Sequence, residues 1–329
     1  MKTQSAFIGI ESALLTCLTL AAPQQASGFE TPRMAWGHPN LQGIWTNATV
    51  TTLVRPEEVE NLVLNEVEAA AMEKGGAEAI AAIDDLPEGD LEAGQDVGGY
   101  NAFWVDPGTR VLRVNGEPRS SIIVDPEDGQ IPYTMLAKPK YYWRAYNMLN
   151  TYDNPEERPL GERCTVGFGS TGGPPMLPVL YNNNYQFIQT PDQVLILVEM
   201  NHSVRNIRLD AEPLPEMIRP WMGDSIGHWE GDTLVVRTTQ FHPQQDLRLA
   251  IKHQVMMSKD SVVEERFTRV SETEINYSFT ITDDSLYSQP WTGEQTLRST
   301  EGPIYEYACH EGNYALPNIL SGARQEEES

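Results

Sequence analysis

Between residues 184 and 300 apolar and polar side chains alternate with a period of two, stretch after stretch. Val263, Glu265, Phe267 and Arg269 share one face of a segment spanning 262–270, and Ile275, Tyr277, Phe279 and Ile281 share one face of 275–282. That period belongs to β-strands with one covered face. Further strands are expected at 186–190, 194–200, 205–210, 226–229, 233–241, 291–300 and 304–309. Pro191-Asp192-Gln193 and Glu230-Gly231-Asp232 join neighbours as tight hairpins. So many consecutive antiparallel strands close into a barrel or fold into a sandwich. The expected fold class is mainly β, an antiparallel barrel or sandwich of lipocalin-like form, over residues 101–329.

The first third of the chain reads differently. A turn-rich entry at 37–43 leads into a strand at 44–54. Pro56 then opens a helical stretch to about residue 82, in which Val59, Leu62, Val63, Val67 and Ala70 recur at helical spacing. Gly75-Gly76 is expected to break it. An acidic run continues through Asp84-Asp85 to Asp96 and reads as a solvated excursion, so 29–100 forms an N-terminal strand plus an acidic helical segment. A strand–turn–strand is expected at 121–134, around Asp125 to Gly129. Residues 138–178 follow neither period and read as a long crossing loop or lid. Its glycines at 167–173 do not make a phosphate cradle, because neither a Lys nor a helix start follows them.

Composition narrows the function classes. Gly and Pro, at 25 and 23 copies, suit short strands joined by turns. A formal charge of −24 repels phosphate backbones, which excludes nucleic acid and disfavours anionic membrane surfaces. Residues 1–28 have the form of an export signal: Lys2, an apolar run at 13–22, and Ala26-Ser27-Gly28 before a cleavage point at Phe29. The run is too short to span a bilayer, so no membrane insertion is expected after cleavage and the chain is read as periplasmic or secreted. Removing Cys17 with the leader leaves Cys164 and Cys309. They read first as one disulfide, worth about 4 kcal/mol for a loop of this length, with a nucleophilic Cys309 as the alternative.

With six histidines in 329 residues, acid–base chemistry near neutral pH has few homes. Tyr305 to Tyr314 concentrates Glu306, Cys309 and His310. Glu199 ends an apolar run and is costly to bury unless paired or protonated, and His202 follows it. Glu199, His202, Glu306 and His310 are therefore the candidate acid–base set, with Asp224 and Tyr181 as orienting groups. Trp221, Trp229, Trp291 and Phe267 could hold the apolar body of a ligand, and Asn184, in the Asn182-Asn183-Asn184 run, offers neutral hydrogen bonds. Each has a plain structural alternative: core packing, an Asx turn, or a strand-end ion pair. The histidines form no zinc spacing, so neither a metal nor another cofactor is expected.

Several stretches taken together resemble a known family. They are Arg158 to Cys164, Pro178 to Asn184, Gly223-Asp224-Ser225 with Trp229 to Val236, Glu265 to Val270, and Tyr305 to Asn313. The chain is similar to a large, mostly uncharacterised family of secreted β-rich proteins of environmental bacteria. The resemblance implies export and a β-rich fold but carries no activity with it. From the residues, the expectation is a secreted, cofactor-independent enzyme of isomerase, lyase, cyclase or hydrolase type. It would act by Glu/His acid–base chemistry on a small apolar or aromatic molecule inside the barrel. The alternative is a lipocalin-like carrier of a lipophilic or aromatic ligand.

Overall fold

A computed structural model describes residues 28–84 and 105–328. The expected export signal through residue 27, with Cys17, and the acidic run beyond residue 84 lie outside the described residues. In chain order the strands are β1 (Gly43–Thr46), β2 (Arg113–Val114), β3 (Glu117–Pro118), β4 (Ile123–Asp125), β5 (Asn184–Gln189), β6 (Gln193–Val198) and β7 (Val204–Leu209). They continue with β8 (Asp224–Glu230), β9 (Thr233–Thr239), β10 (Leu247–Ala250), β11 (His253–Met256), β12 (Val262–Arg269), β13 (Glu274–Thr282) and β14 (Trp291–Ser299). Three α-helices are described: α1 (Glu66–Asp84), α2 (Ala137–Asn150) and α3 (Ala315–Glu327).

The nine strands β1, β5 to β9 and β12 to β14 form a closed barrel, because β1 pairs with β5 on one side and with β14 on the other. Closure leaves the barrel without a free edge. The Gly231-Asp232 turn joins β8 to β9 as its sequence promised, with Gly231 at φ +60°. The expectation of antiparallel pairing fails at one seam, where β7 and β8 run parallel. The segment 210–223, which carries three prolines, returns the chain along the barrel to the end at which β7 began, which a parallel neighbour requires. A lipocalin barrel has eight up-and-down strands; this one has nine and that parallel seam.

The alternating faces point inward as expected. Val263, Glu265, Phe267 and Arg269 meet Ile275, Tyr277, Phe279 and Ile281 in the lumen, with Tyr185, Phe187, Ile196, Trp291 and Leu297 from the other strands, all buried. Charges among them need partners. The Arg205 guanidinium forms a two-pronged ion pair with Glu265, at 3.0 and 2.5 Å, with both side chains all but inaccessible. The Tyr277 hydroxyl donates to Glu265 at 2.8 Å and accepts the Met176 N–H at 2.9 Å. Burial and the Glu265 charge push the Tyr277 phenol well above its ordinary range, so it stays a donor.

Met176 belongs to a segment that plugs the barrel. The Tyr185 hydroxyl donates to the Thr171 carbonyl at 2.9 Å, and Gln295 Nε2 donates to the Met176 carbonyl at 2.8 Å. The backbone N–H of Ser170 donates to His253 Nε2 at 2.7 Å, while His253 Nδ1 lies 3.1 Å from the Pro178 carbonyl and donates to it. That imidazole is buried and neutral: burial, then the nearby Arg248 and Lys252 charges, hold its pKa down to about 3. Arg248 anchors the same segment by bonds to Ser170 Oγ at 2.9 Å and to the Pro174 carbonyl. Part of the expected 138–178 loop is thus the barrel's own stopper.

Other expectations need correction. The first helix starts at Glu66 rather than Pro56, because Asn65 caps it. Asn65 Oδ1 accepts the N–H groups of Val67 and Glu68, and Glu68 returns a bond to the Asn65 N–H. Gly75-Gly76 does not end it; a Cβ at Gly76 would lie 2.6 Å from Val50, so the glycine permits a close approach. Residues 137–150 form α2 rather than loop. Ala137, Tyr141, Ala145 and Met148 pack on the core along one stripe, and Pro139 sits in the first turn, where helices tolerate it. Residues 130–134 add only an isolated bridge at Tyr133. The stretch 304–309 is not a strand but an extended tail leading to α3.

Two outcomes follow for stability. Arg205→Leu strands a buried carboxylate and should cost about 3–5 kcal/mol in urea unfolding; a loss under about 1 kcal/mol would contradict the role given to the pair. His253 is held neutral in the folded state and titrates near its ordinary value when unfolded. Between about pH 6.5 and 3 the unfolded chain therefore binds the extra proton. This contribution is complete above that window and fades as pH falls through it. His253→Gln should flatten the decline in urea midpoint between pH 6.5 and 4, and parallel declines would refute the assignment.

Candidate functional site

The expected lumenal site is filled by protein. Phe267 packs between Phe187 and Tyr277, with ring centroids 5.6 and 4.8 Å away, and Trp291 packs against Phe279 and Tyr287. Both are core side chains. Trp221 stacks on His242 at 3.9 Å before β8, whereas Trp229, toward the other end of β8, lies 5.5 Å from His38. The tryptophans line no common mouth. Asp224 is a structural ion-pair partner: Arg208 Nη2 reaches its two oxygens at 2.8 and 2.9 Å, and the Leu214 N–H bonds it at 2.9 Å.

Four of the candidates do come together, at the barrel rim and outside its wall. β6 ends at Val198, so Glu199 leaves the strand register and lies buried beneath the C-terminal tail. Its Oε2 accepts Asn184 Nδ2 at 2.8 Å and its Oε1 accepts the Tyr305 N–H at 3.1 Å. His202 Nδ1 lies 3.1 Å from the Tyr307 carbonyl. The Tyr181 and Tyr307 hydroxyls share a hydrogen bond, and burial raises both phenols. Cys164 and Cys309 are joined as a disulfide, which pins the tail there and removes Cys309 as a nucleophile. Glu306 and His310 are exposed and do not join Glu199. Of the acid–base candidates and their orienting groups, Tyr181, Glu199 and His202 therefore remain together under a strap, with the ligand-binding candidate Asn184 beside Glu199.

A cleft of about 380 Å³ lies elsewhere on the outside, between α2, residues 151–163 and residues 243–247. Its charged lining is mostly paired internally. Arg158 bonds Glu162 through Nε and Nη2 at 3.0 and 3.1 Å, and Arg144 meets Asp246 at 2.9 Å. Arg163, half-buried, makes no side-chain hydrogen bond or ion pair among the described residues. The Trp143 ring and the Asn147 and Gln244 amides share the cleft with it. Such a lining can hold an anionic group by a charge-assisted bond and an aromatic body on the indole.

No strand or helix period marks this lining in the sequence. Arg163 lies within the stretch 158–164, and Lys138 to Arg144 packs three cations and three aromatic rings without one acid. That run is legible as a cationic, aromatic patch, although no single period marks it. Glu265 was visible as a charge on an apolar face, but only the barrel brought Arg205 to it. No protein-family model, no curated protein and no solved structure matches the chain.

Proposed function

We propose that the chain is an exported binding protein whose ligand, a small molecule with an anionic group, sits in the external cleft beside α2. Arg163 carries this reading, as a half-buried arginine whose side chain has no partner among the described residues and which lines a space of ligand size. The polar lining turns the expected lipophilic or aromatic cargo into a polar one, with Trp143 still available to an aromatic ring. The Cys164–Cys309 disulfide and the leader-like N-terminus support an oxidising compartment outside the cytoplasm.

Calorimetric titration with a panel of small aromatic and aliphatic carboxylates, sulfonates and inorganic phosphate tests it. At least one should bind, and Arg163→Ala should weaken that ligand by about 10–100-fold, the worth of a charge-assisted hydrogen bond. Equal binding by parent and variant would sink the proposal.

A second reading keeps the acid–base enzyme and moves it to the strapped rim. Asn201 and His202 are successive non-glycine residues in the left-handed region, at φ 59° and 42°. Backbone strain of this kind gathers at functional sites. Glu199 and His202 would then move protons on a small substrate admitted when the tail lifts, in an isomerisation, elimination, cyclisation or hydrolysis. Untargeted metabolite turnover by the parent, lost in His202→Ala, is the expected result; unchanged turnover would remove His202 from any mechanism.

A further inference from the structure

Helix α2 is apolar on two opposite faces, and only one is covered. Ala137, Tyr141, Ala145 and Met148 pack on the body. On the other side Leu136, Pro139, Tyr142, Trp143 and Tyr146 follow at helical spacing, with Met135 just before them. These are among the most exposed apolar side chains described: Met135 93%, Leu136 87%, Tyr146 66% and Tyr142 61%. Isolated apolar side chains on a surface are ordinary, but a contiguous stripe of this kind marks a contact.

Charge says which contact. The stretch 135–150 carries Lys138, Lys140 and Arg144 and no acid, in a chain of formal charge −24. Helical spacing places Lys138 on one flank of the stripe and Lys140 on the other. Trp and Tyr rings with long cationic side chains on both flanks suit a bilayer surface. The rings enter the boundary between headgroups and acyl chains, and the lysine amines reach lipid phosphates. A two-fold contact between copies would instead set Lys138 and Lys140 of one chain against those of the next. The acidic charges elsewhere on the body are screened over about 8 Å at physiological salt, so the helix meets a membrane with its own sign.

We infer that α2 is a peripheral membrane-docking element that lies flat on anionic bilayers through Met135, Leu136, Tyr142 and Tyr146, steered by Lys138 and Lys140. The helix has fourteen residues, and among the described residues no helix is long and apolar enough to cross a membrane. The contact is adsorption, without insertion. It replaces the expectation, drawn from net charge alone, that anionic membranes are disfavoured. It also leaves the cleft opening beside the bilayer surface, since Trp143 and Arg144 border both.

The test is co-sedimentation of the chain recovered after export with phosphatidylcholine vesicles, with and without phosphatidylglycerol. The parent should sediment with the phosphatidylglycerol vesicles, and less so as salt rises. The exposed triple variant Met135→Ser, Leu136→Ser, Tyr142→Ser should partition at least about 10-fold more weakly. Lys138→Glu with Lys140→Glu should abolish the preference for phosphatidylglycerol. Thermal melts matching the parent exclude misfolding as the cause. No sedimentation of the parent, or equal sedimentation of the triple variant, overturns the inference. So does a concentration-dependent dimer abolished by the triple variant, which would make a second copy the occupant.

Discussion

The ion pair between Arg205 and Glu265 is the constraint on which the rest of this structure depends. Two unit charges stand in the middle of an apolar barrel, and each is tolerable only because the other is held at hydrogen-bond distance. A pair of this kind adds little net stability over an apolar filling, yet it specifies arrangement. Glu265 has lone pairs left over, and Tyr277 satisfies one. Tyr277 in turn has an acceptor left over, and the Met176 N–H satisfies that. A chain of hydrogen bonds thus leads from the buried charges into the plug and fixes its depth.

Once the plug is seated, protein side chains and backbone fill the lumen. The lumen that would have held a lipophilic cargo is occupied by Phe267, Trp291 and the backbone of residues 170–177. The plug's other end leads back to Cys164, whose bond to Cys309 draws the C-terminal tail across the rim. Glu199 closes that strap by accepting the Tyr305 N–H. A carboxylate that looked expensive to bury is therefore a clamp, satisfied by one amide side chain and one backbone donor. These two partners account for its burial.

Helix α2 then presents the barest aromatic surface. One stripe of it secures the helix to the core, a second borders the cleft with Arg163, and a third remains bare between two lysines. Net charge concealed this, since a sum over 329 residues carries no information about a patch of sixteen. Fields between exposed charges fade within a Debye length. The local composition therefore decides what a surface can meet.

Much of the β architecture was legible because strand periodicity is local. Alternation at 262–270 and 275–282 named inward faces that the barrel kept, and Glu230-Gly231-Asp232 named its hairpin. The helix at 137–150 was not legible, because two apolar stripes and a ring of cations blur any single period. The tail at 304–309 alternated like a strand, yet its partners are a disulfide, the Glu199 carboxylate and the His202 imidazole rather than a ladder. The Cys164–Cys309 pairing could be anticipated by counting cysteines, but the strap it makes could not. By itself the sequence determined where most of the barrel strands run and which of their faces are apolar. Tertiary structure decided that β7 and β8 run parallel, that Arg205 finds Glu265 sixty residues away, and that Glu306 and His310 stay in solvent. Those outcomes depend on which distant groups can satisfy one another once water is excluded, and no local pattern encodes that.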